Sequence, residues 1–343
     1  MLGGGVFVTQ NKTLPGSYIN FVSLASASAA LGERGVVAIA LPLNHKAGTV
    51  IEVTKGDFIT NSTELLGVAY ADASVTPLRE IFTNASKVYV YDLGEAGTVA
   101  QAIAALEPYE FNVLCAYTDV TADVQAYIEA VKNWRDAMGK KCQVVVYNAT
   151  TPDHEGVINV ISTVSEGDAY ALVAWVAGAE AGCQINESCT NKLYNGELTI
   201  VTNKTQTELE NCIKAGQIAF HLVYGDVRML EDVNSLVTTT ADKGEDFKSN
   251  QTIRVIDQIA NDIAKLFNTK YLGKIPNNAS GRISLWGDIV KHHKELEQLE
   301  AIENFDPSTL TVVQGNNKKS VVVNDVITVV NAMAQLYMTV VVQ

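Results

Sequence analysis

Two adjacent histidines, His292-His293, and two cysteines six residues apart, Cys183 and Cys189, are the residues of this chain whose types and spacing invite chemistry. Closely spaced histidines or cysteines can hold a divalent cation, but a structural zinc site takes tight ligand pairs. The five cysteines (Cys115, Cys142, Cys183, Cys189, Cys212) include no CxxC pair, and no histidine stands near Asn186-Glu187-Ser188. They read as reduced thiols, partly buried as small hydrophobes. His292-His293 is flanked by Lys291 and Lys294 on a predicted helix and reads as part of a solvated charged face. His154 follows Asp153 in a polar turn between a strand and the next element, and His45 and His221 have no carboxylate nearby in sequence. A P-loop and a GxSxG elbow are absent, and Gly94 with Gly97 gives only a fragment of a dinucleotide fingerprint. No spaced pair of carboxylates suggests general acid–base work. The sequence asks for no enzyme, cofactor or metal.

The elements that would position these residues follow from composition and periodicity. A chain of 343 residues exceeds one typical core and implies about two domains. An apolar fraction of 47 % and a charged fraction of 18 % are those of a folded protein. A net charge of −13 argues against nucleic acid or an anionic membrane as main partner. No apolar run reaches the ~20 residues of a membrane span. The first residues lack a basic and then apolar leader, so synthesis in a bacterial cytoplasm without membrane insertion is the expectation.

Residues 36–41 form a continuous apolar run ended by Pro42, as in a buried strand, and 49–54 alternate like a half-exposed one. From residue 87 strands and helices alternate: strands at 87–91, 111–116, 142–147, 198–201 and 218–223, helices at 99–106, 121–138 and 206–215, and an apolar run at 170–178 that fits either. Such βα alternation predicts a mostly parallel sheet covered on both faces. Residues 238–251 read as a polar boundary loop. Two helices follow, at 252–267 with an apolar stripe from Ile253 to Phe267, and at 280–304. A hairpin at 309–314 and 320–326, a short helix at 328–337 and a terminal strand at 338–343 complete the prediction.

The two ends stand apart. Val6, Phe7 and Val8, then Tyr18, Ile19 and Phe21, supply strand material at one end, and Val340, Val341 and Val342 supply it at the other. A terminal apolar strand must be paired or covered, because its bare N–H and C=O groups invite pairing. Strand addition to neighbouring copies satisfies that need. The polarised run from Lys291 and Lys294 to Glu295 and Glu297 offers a second surface, readable as an exposed helix face with i,i+4 pairs or as a docking site.

The assembled pattern resembles the contractile tail sheath proteins of phages and phage tail-like particles such as R-type bacteriocins. The residues that carry it are Leu14-Pro15-Gly16-Ser17-Tyr18-Ile19-Asn20-Phe21, similar to a PG-x-Y opening strand, and Ala30-Leu31-Gly32-Glu33-Arg34-Gly35-Val36-Val37. The βα-alternating middle and the stretches Ser320-Val321-Val322-Val323-Asn324 and Val330-Asn331-Ala332-Met333-Ala334-Gln335-Leu336-Tyr337-Met338-Thr339-Val340 complete it. It covers nearly the whole chain, is most specific at the C-terminal stretch, and departs from the pattern at Thr328-Val329, where a proline is expected.

The resemblance implies a mixed α/β and α+β fold. Residues 1–22 would be an arm, 23–90 and 238–337 an inner α+β domain, 91–237 an outward subtilisin-like domain without a triad, and 338–343 a second arm. It implies exchange of the arms between subunits, with Val321, Val322 and Val323 receiving a strand. Hexameric rings would stack into a helical sheath around an inner tube, with baseplate and tail terminator proteins as further partners. The tube would be faced by Lys291, Lys294, Glu295 or Glu297. Contraction would use energy stored at assembly. The alternative is an α/β small-molecule-binding protein or enzyme with its site at the strand ends of the middle domain.

Overall fold

The computed structural model describes residues 31–342. The strand candidates at 6–9 and 18–22, which include Val6, Phe7, Val8, Tyr18, Ile19 and Phe21, lie outside the described residues, as does Gln343.

Seven strands make the central sheet: β1 (Val36–Leu41), β2 (Val50–Thr54), β3 (Lys87–Asp92), β4 (Val113–Cys115), β5 (Gln143–Tyr147), β6 (Val157–Val160) and β7 (Gln217–Ile218). Their spatial order is β2-β3-β1-β4-β5-β6-β7, and every pairing is parallel except the antiparallel edge pair β2–β3. β1 sits between β3 and β4, with Ile39 opposite Val90 on one side and Cys115 on the other. That is why its run is apolar without alternation: both edges are paired and both faces are covered.

Helices fill the two faces. Val37, Ile39 and Leu41 point into one core with α2 (Thr76–Phe82) and α5 (Leu172–Gly182), packed beside α1 (Lys55–Leu66). Val36, Ala38 and Ala40 point into the other with α3 (Val99–Leu106) and α4 (Thr121–Asn133). The ambiguous run at 170–178 is therefore the helix α5, buried from Leu172 to Ala181. It passes close under α2: a Cβ added at Gly178 would lie 2.4 Å from the carbonyl oxygen of Ile81. Asp92, at the carboxyl end of β3, accepts the backbone N–H groups of Leu43, Asn44, His45, Lys46 and Gly94. Burial pushes this carboxyl up, but those donors outweigh it and hold it below the ordinary carboxylate range.

The rest of the chain adds α6 (Gln206–Lys214), β8 (Phe220–Val223), β9 (Asp226–Met229), α7 (Asn250–Leu266), α8 (Ala279–Gln298), β10 (Ile302–Glu303), β11 (Thr311–Gln314), β12 (Val321–Asn324) and β13 (Thr328–Val329). α7 and α8 enclose a third core with Leu285, Ile289, Leu296, Ile302 and Leu310. β11–β12, β10–β13 and β8–β9 are separate antiparallel pairs.

Four expectations change. The division drawn at 90/91 falls inside β3, and β1–β3 belong to one sheet with β4–β7 rather than with the C-terminal helices. The strand at 198–201 shrinks to a bridge between Val164 and Ile200. The strand at 218–223 breaks at Ala219, where Ser162 Oγ takes the N–H of Phe220 and the chain turns into the β8–β9 hairpin. The helix at 328–337 is absent: Val326-Ile327-Thr328-Val329-Val330 is β-branched throughout, and β13 pairs with β10 instead.

Candidate assembly surface

The C-terminal segment begins well held. In the β11–β12 hairpin Val312 and Val321 pack on the third core, Val313 and Val322 face outward, and Val323, opposite Val312 on the inner face, is only partly covered. Ile327 and Val329 return to the same core, and the N–H of Val330 donates to the carbonyl of Ala301. Gln251, near the start of α7, then grips the chain from both sides. Its Nε2 donates to the carbonyl of Val330 at 3.3 Å, and its Oε1 accepts the N–H of Ala332 at 2.9 Å. Thr252 Oγ1 adds a bond to Asn331 Oδ1 at 3.2 Å.

Past Ala332 the holding ends. Residues 333–342 lie outside any helix or strand, and their large apolar side chains stand in water, from 69 % exposed at Val340 to 101 % at Met333. Leu336, Tyr337, Met338, Val341 and Val342 fall between those limits. Burying one such side chain is worth about 1.5–3 kcal/mol, so this segment forgoes many kcal/mol that a partner surface would recover. Extended backbone with unsatisfied N–H and C=O groups is also what strand addition uses. The segment therefore presents exposed apolar side chains and, among the described residues, a backbone with no strand partner.

The charged run on α8 separates into two faces. Lys291 and Lys294 are exposed, Glu295 and Glu297 are half-buried, and Glu297 Oε1 accepts the N–H of Phe305. His292 and His293 are buried, contrary to the solvated face expected for them. The spacing of Leu285, Ile289, His292, His293 and Leu296 carries the signal: the histidines continue the apolar stripe of α8.

Buried ion pairs join α7 to the sheet unit. Arg254 Nη2 lies 2.7 Å from Glu180 Oε2 on α5 and 3.3 Å from Asp232 Oδ2, with Nη1 on the carbonyl of Glu187. Burial and then the neighbouring Asp232 push Glu180 well above the ordinary carboxylate range. Glu180 Oε1 and Asp232 Oδ1 make no direct hydrogen bond among the described residues, so the two carboxyls share the single guanidinium of Arg254. A second pair is bidentate: Arg135 Nη1 and Nη2 meet Asp257 at 2.5 and 2.9 Å. Beside it Lys243 holds Glu155 at 2.8 Å, and His154 Nε2 meets Asp136 at 3.2 Å. Burial lowers His154.

Glu180, Cys189 and Asp232 could each offer a ligand atom to a cation, as could Asp136, His154 and Glu155. Arg254 in the first group, and Arg135 with Lys243 in the second, already supply positive charge there. All five cysteines are buried. A hydrogen bond from Cys189 lowers the Cys183 thiol to about 7, against the opposing effect of burial. Beyond the carboxyl ends of β1, β3 and β4 lies a crevice of about 360 Å³, walled by Tyr117, Tyr127, Tyr170, Asp123 and Asp168. Among the described residues no lysine, arginine or histidine lines it.

Comparison with known proteins matches residues 94–235 to the phage tail sheath protein central domain and residues 242–343 to the phage tail sheath C-terminal domain. The tail sheath protein of Clostridium phage phiCD119 is 26 % identical over 293 residues, covering 83 % of this chain and 81 % of that protein. The phage-like element PBSX protein XkdK of Bacillus subtilis (strain 168) is 28 % identical over 253 residues, 69 % of this chain. The chain spans about half the length of that relative, 54 %.

Among solved structures, the sheath tail protein of Desulfitobacterium hafniense superimposes with a TM-score of 0.77 at 25 % identity, covering 92 % of this chain and all of that one. The helical sheath of the anti-feeding prophage in its contracted state gives 0.70 over 97 % of this chain and 99 % of its own; at 14 % identity that likeness speaks for the fold. The seven-stranded sheet, the C-terminal hairpin and the matched residues agree: the chain belongs to the phage tail sheath family.

Proposed function

We propose that this chain is the structural subunit of a contractile sheath and polymerises by giving its terminal strands to neighbouring copies. The observation that carries the reading is the segment 333–342, outside any helix or strand, apolar and uncovered among the described residues. Val340, Val341 and Val342 would be the donated residues, and β12, with Val321, Val322 and Val323, the receiving strand. Val6, Phe7, Val8, Tyr18, Ile19 and Phe21 would complete the shared sheet from the other end. Backbone bonds would give connectivity and alternating side chains the register.

In this reading hexameric rings stack into a helix around an inner tube, with baseplate and terminator proteins closing the ends. The sheet unit that holds residues 91–237 faces outward. Contraction to a better-packed state drives the tube, so no nucleotide is needed. Lys291, Lys294, Glu295 and Glu297 on α8 are the candidate tube contacts, of which Lys291 and Lys294 are the exposed ones. The crevice at the strand ends supports the rival reading of a ligand site, but its two carboxylates and lack of basic groups give a nucleotide phosphate no counter-charge.

The test is negative-stain electron microscopy of the full-length chain beside one truncated after Met338. Long hollow tubes from the first and none from the second are expected. Discrete small particles from both would overturn strand donation.

A further inference from the structure

The rings of His292 and His293 form the middle of a hydrogen-bonded chain. His292 Nε2 lies 3.0 Å from Asp262 Oδ2 on α7, and His293 Nε2 lies 2.6 Å from Asp325 Oδ2, just after β12. The two Nδ1 atoms lie 3.3 Å from one another. Both rings are buried, at 1 % and 0 % exposure, so their nitrogens depend on protein partners, while the Asp325 carboxylate is 26 % exposed.

The proton count follows from the contacts. Three contacts, from Asp262 through both rings to Asp325, need three protons. Two neutral imidazoles facing two carboxylates carry two, one on each ring. If both sit on Nε2, two bare Nδ1 lone pairs face each other, and an unsatisfied buried acceptor costs about 1–3 kcal/mol. If one moves to Nδ1, the contact it left places a lone pair against a carboxylate. Four protons fail in the opposite sense, with two N–H groups directed at one another. Only the three-proton chain satisfies every atom.

We infer that His292 and His293 form a buried proton-binding site that holds one proton between their Nδ1 atoms, as a cationic histidine pair between two carboxylates. The charges set against it come from two elements. From α7, Asp262 is steadied by the N–H of Gly32 and by Gln258 Nε2 at 2.9 and 3.0 Å. From the joint between β12 and β13 comes Asp325. The ring of Phe305 covers His293, with centroids 4.9 Å apart. On α8 itself Lys291 and Lys294 flank the pair from the exposed face, and Asp288, one turn earlier, is engaged by Lys270.

The site ties α7, through α8, to the joint from which the C-terminal segment departs. Gain or loss of one proton breaks its middle contact. The device is therefore proton-sensitive and placed at the root of the segment, whether or not that segment pairs with another copy.

Long-range ¹H–¹⁵N spectra of the full-length, unassembled chain labelled on histidine test this at pH 7. Two coupled rings are expected, with protonated Nε2 and with Nδ1 signals intermediate between protonated and bare. Asp325→Asn can supply the end proton from its own amide, so the rings should keep two protons and the intermediate signals should be lost. His293→Gln should remove the coupling and leave a single ring at His292. Two bare Nδ1 signals in the unaltered chain would overturn the proposal, and so would a stoichiometric divalent metal found by elemental analysis. If His293→Gln folds and the His292 Nδ1 signal keeps its intermediate position, the proton is not shared as inferred and the proposal fails.

Discussion

Two valine-rich runs in this chain meet opposite fates. Val36-Val37-Ala38-Ile39-Ala40-Leu41 is buried along its whole length as β1, paired on both edges and covered on both faces. Val340-Val341-Val342 is as apolar and as β-branched, yet each of its side chains is at least 69 % exposed. Composition does not separate them. The difference is that β1 finds its neighbours 50 and more residues away in the same chain, opposite Lys87 to Asp92, whereas residues 333–342 find none among the described residues. The first run is a finished core, and the second, in the proposed reading, is one side of an interface.

The largest expected effects break that comparison directly. Ile39→Asp places an unpaired carboxylate between the sheet and the helical layer of α2 and α5. Its cost of several kcal/mol is comparable with the whole stability of a domain, about 5–15 kcal/mol. No cooperative thermal transition should remain by circular dichroism. Val341→Asp should leave the transition of the unassembled chain within about 0.5 kcal/mol of the original, as for other exposed sites, while abolishing tubes. A large loss of stability from Val341→Asp would show that residues 340–342 belong to the chain's own core.

Next in size is the seam between the two bodies. Arg254→Ala strands Asp232 and Glu180 around a buried vacancy and should cost about 3–5 kcal/mol in urea unfolding. Glu180→Gln should cost about 1 kcal/mol or less, because the amide can accept from Arg254 and donate to Asp232. The sign of its pH effect is fixed by the raised carboxyl. The unfolded chain ionises this residue near pH 4.3, while the folded chain keeps the proton to a much higher value. Between those limits the folded state binds the extra proton, so stability falls as pH rises, by about 1.4 kcal/mol per unit. Glu180→Gln should remove that slope, and an unchanged slope would mean that Glu180 is ionised in the folded chain.

How much of this was legible in the sequence depends on where the partner lies. β1, α4 and the striped helix α7 declare themselves because run length, periodicity and turn residues are local. The hairpin β11–β12 was legible for the same reason. The membership of β1–β3 in the large sheet was not, because pairing β1 with β4 closes a loop of more than 70 residues that no local pattern records. The burial of His292 and His293 was masked by Lys291 and Lys294, whose charges suggested a wet face although the stripe spacing pointed inward. Residues 328–337 read as a helix because Asn331-Ala332-Met333-Ala334-Gln335-Leu336 has fair helix propensity. The β-branched residues before them and the β10 partner decided otherwise.

The smallest expected effect asks where the finished region ends and the interface begins. Gln251 marks the border, since its amide imitates a neighbouring strand, giving a donor to Val330 and an acceptor to Ala332. Two neutral hydrogen bonds are worth about 0.5–1.5 kcal/mol each, and both act on a segment that contributes little to the core. Gln251→Ala should therefore lower global stability by no more than about 1 kcal/mol while raising amide hydrogen exchange at Ala332 several-fold. Gln251→Glu keeps the acceptor for Ala332 but faces the carbonyl of Val330 with a second acceptor, so exchange should rise less at Ala332 than in the alanine variant. Equal protection of Ala332 in all three chains would place the border further along, beyond residue 332, and shorten the donated strand by the same amount.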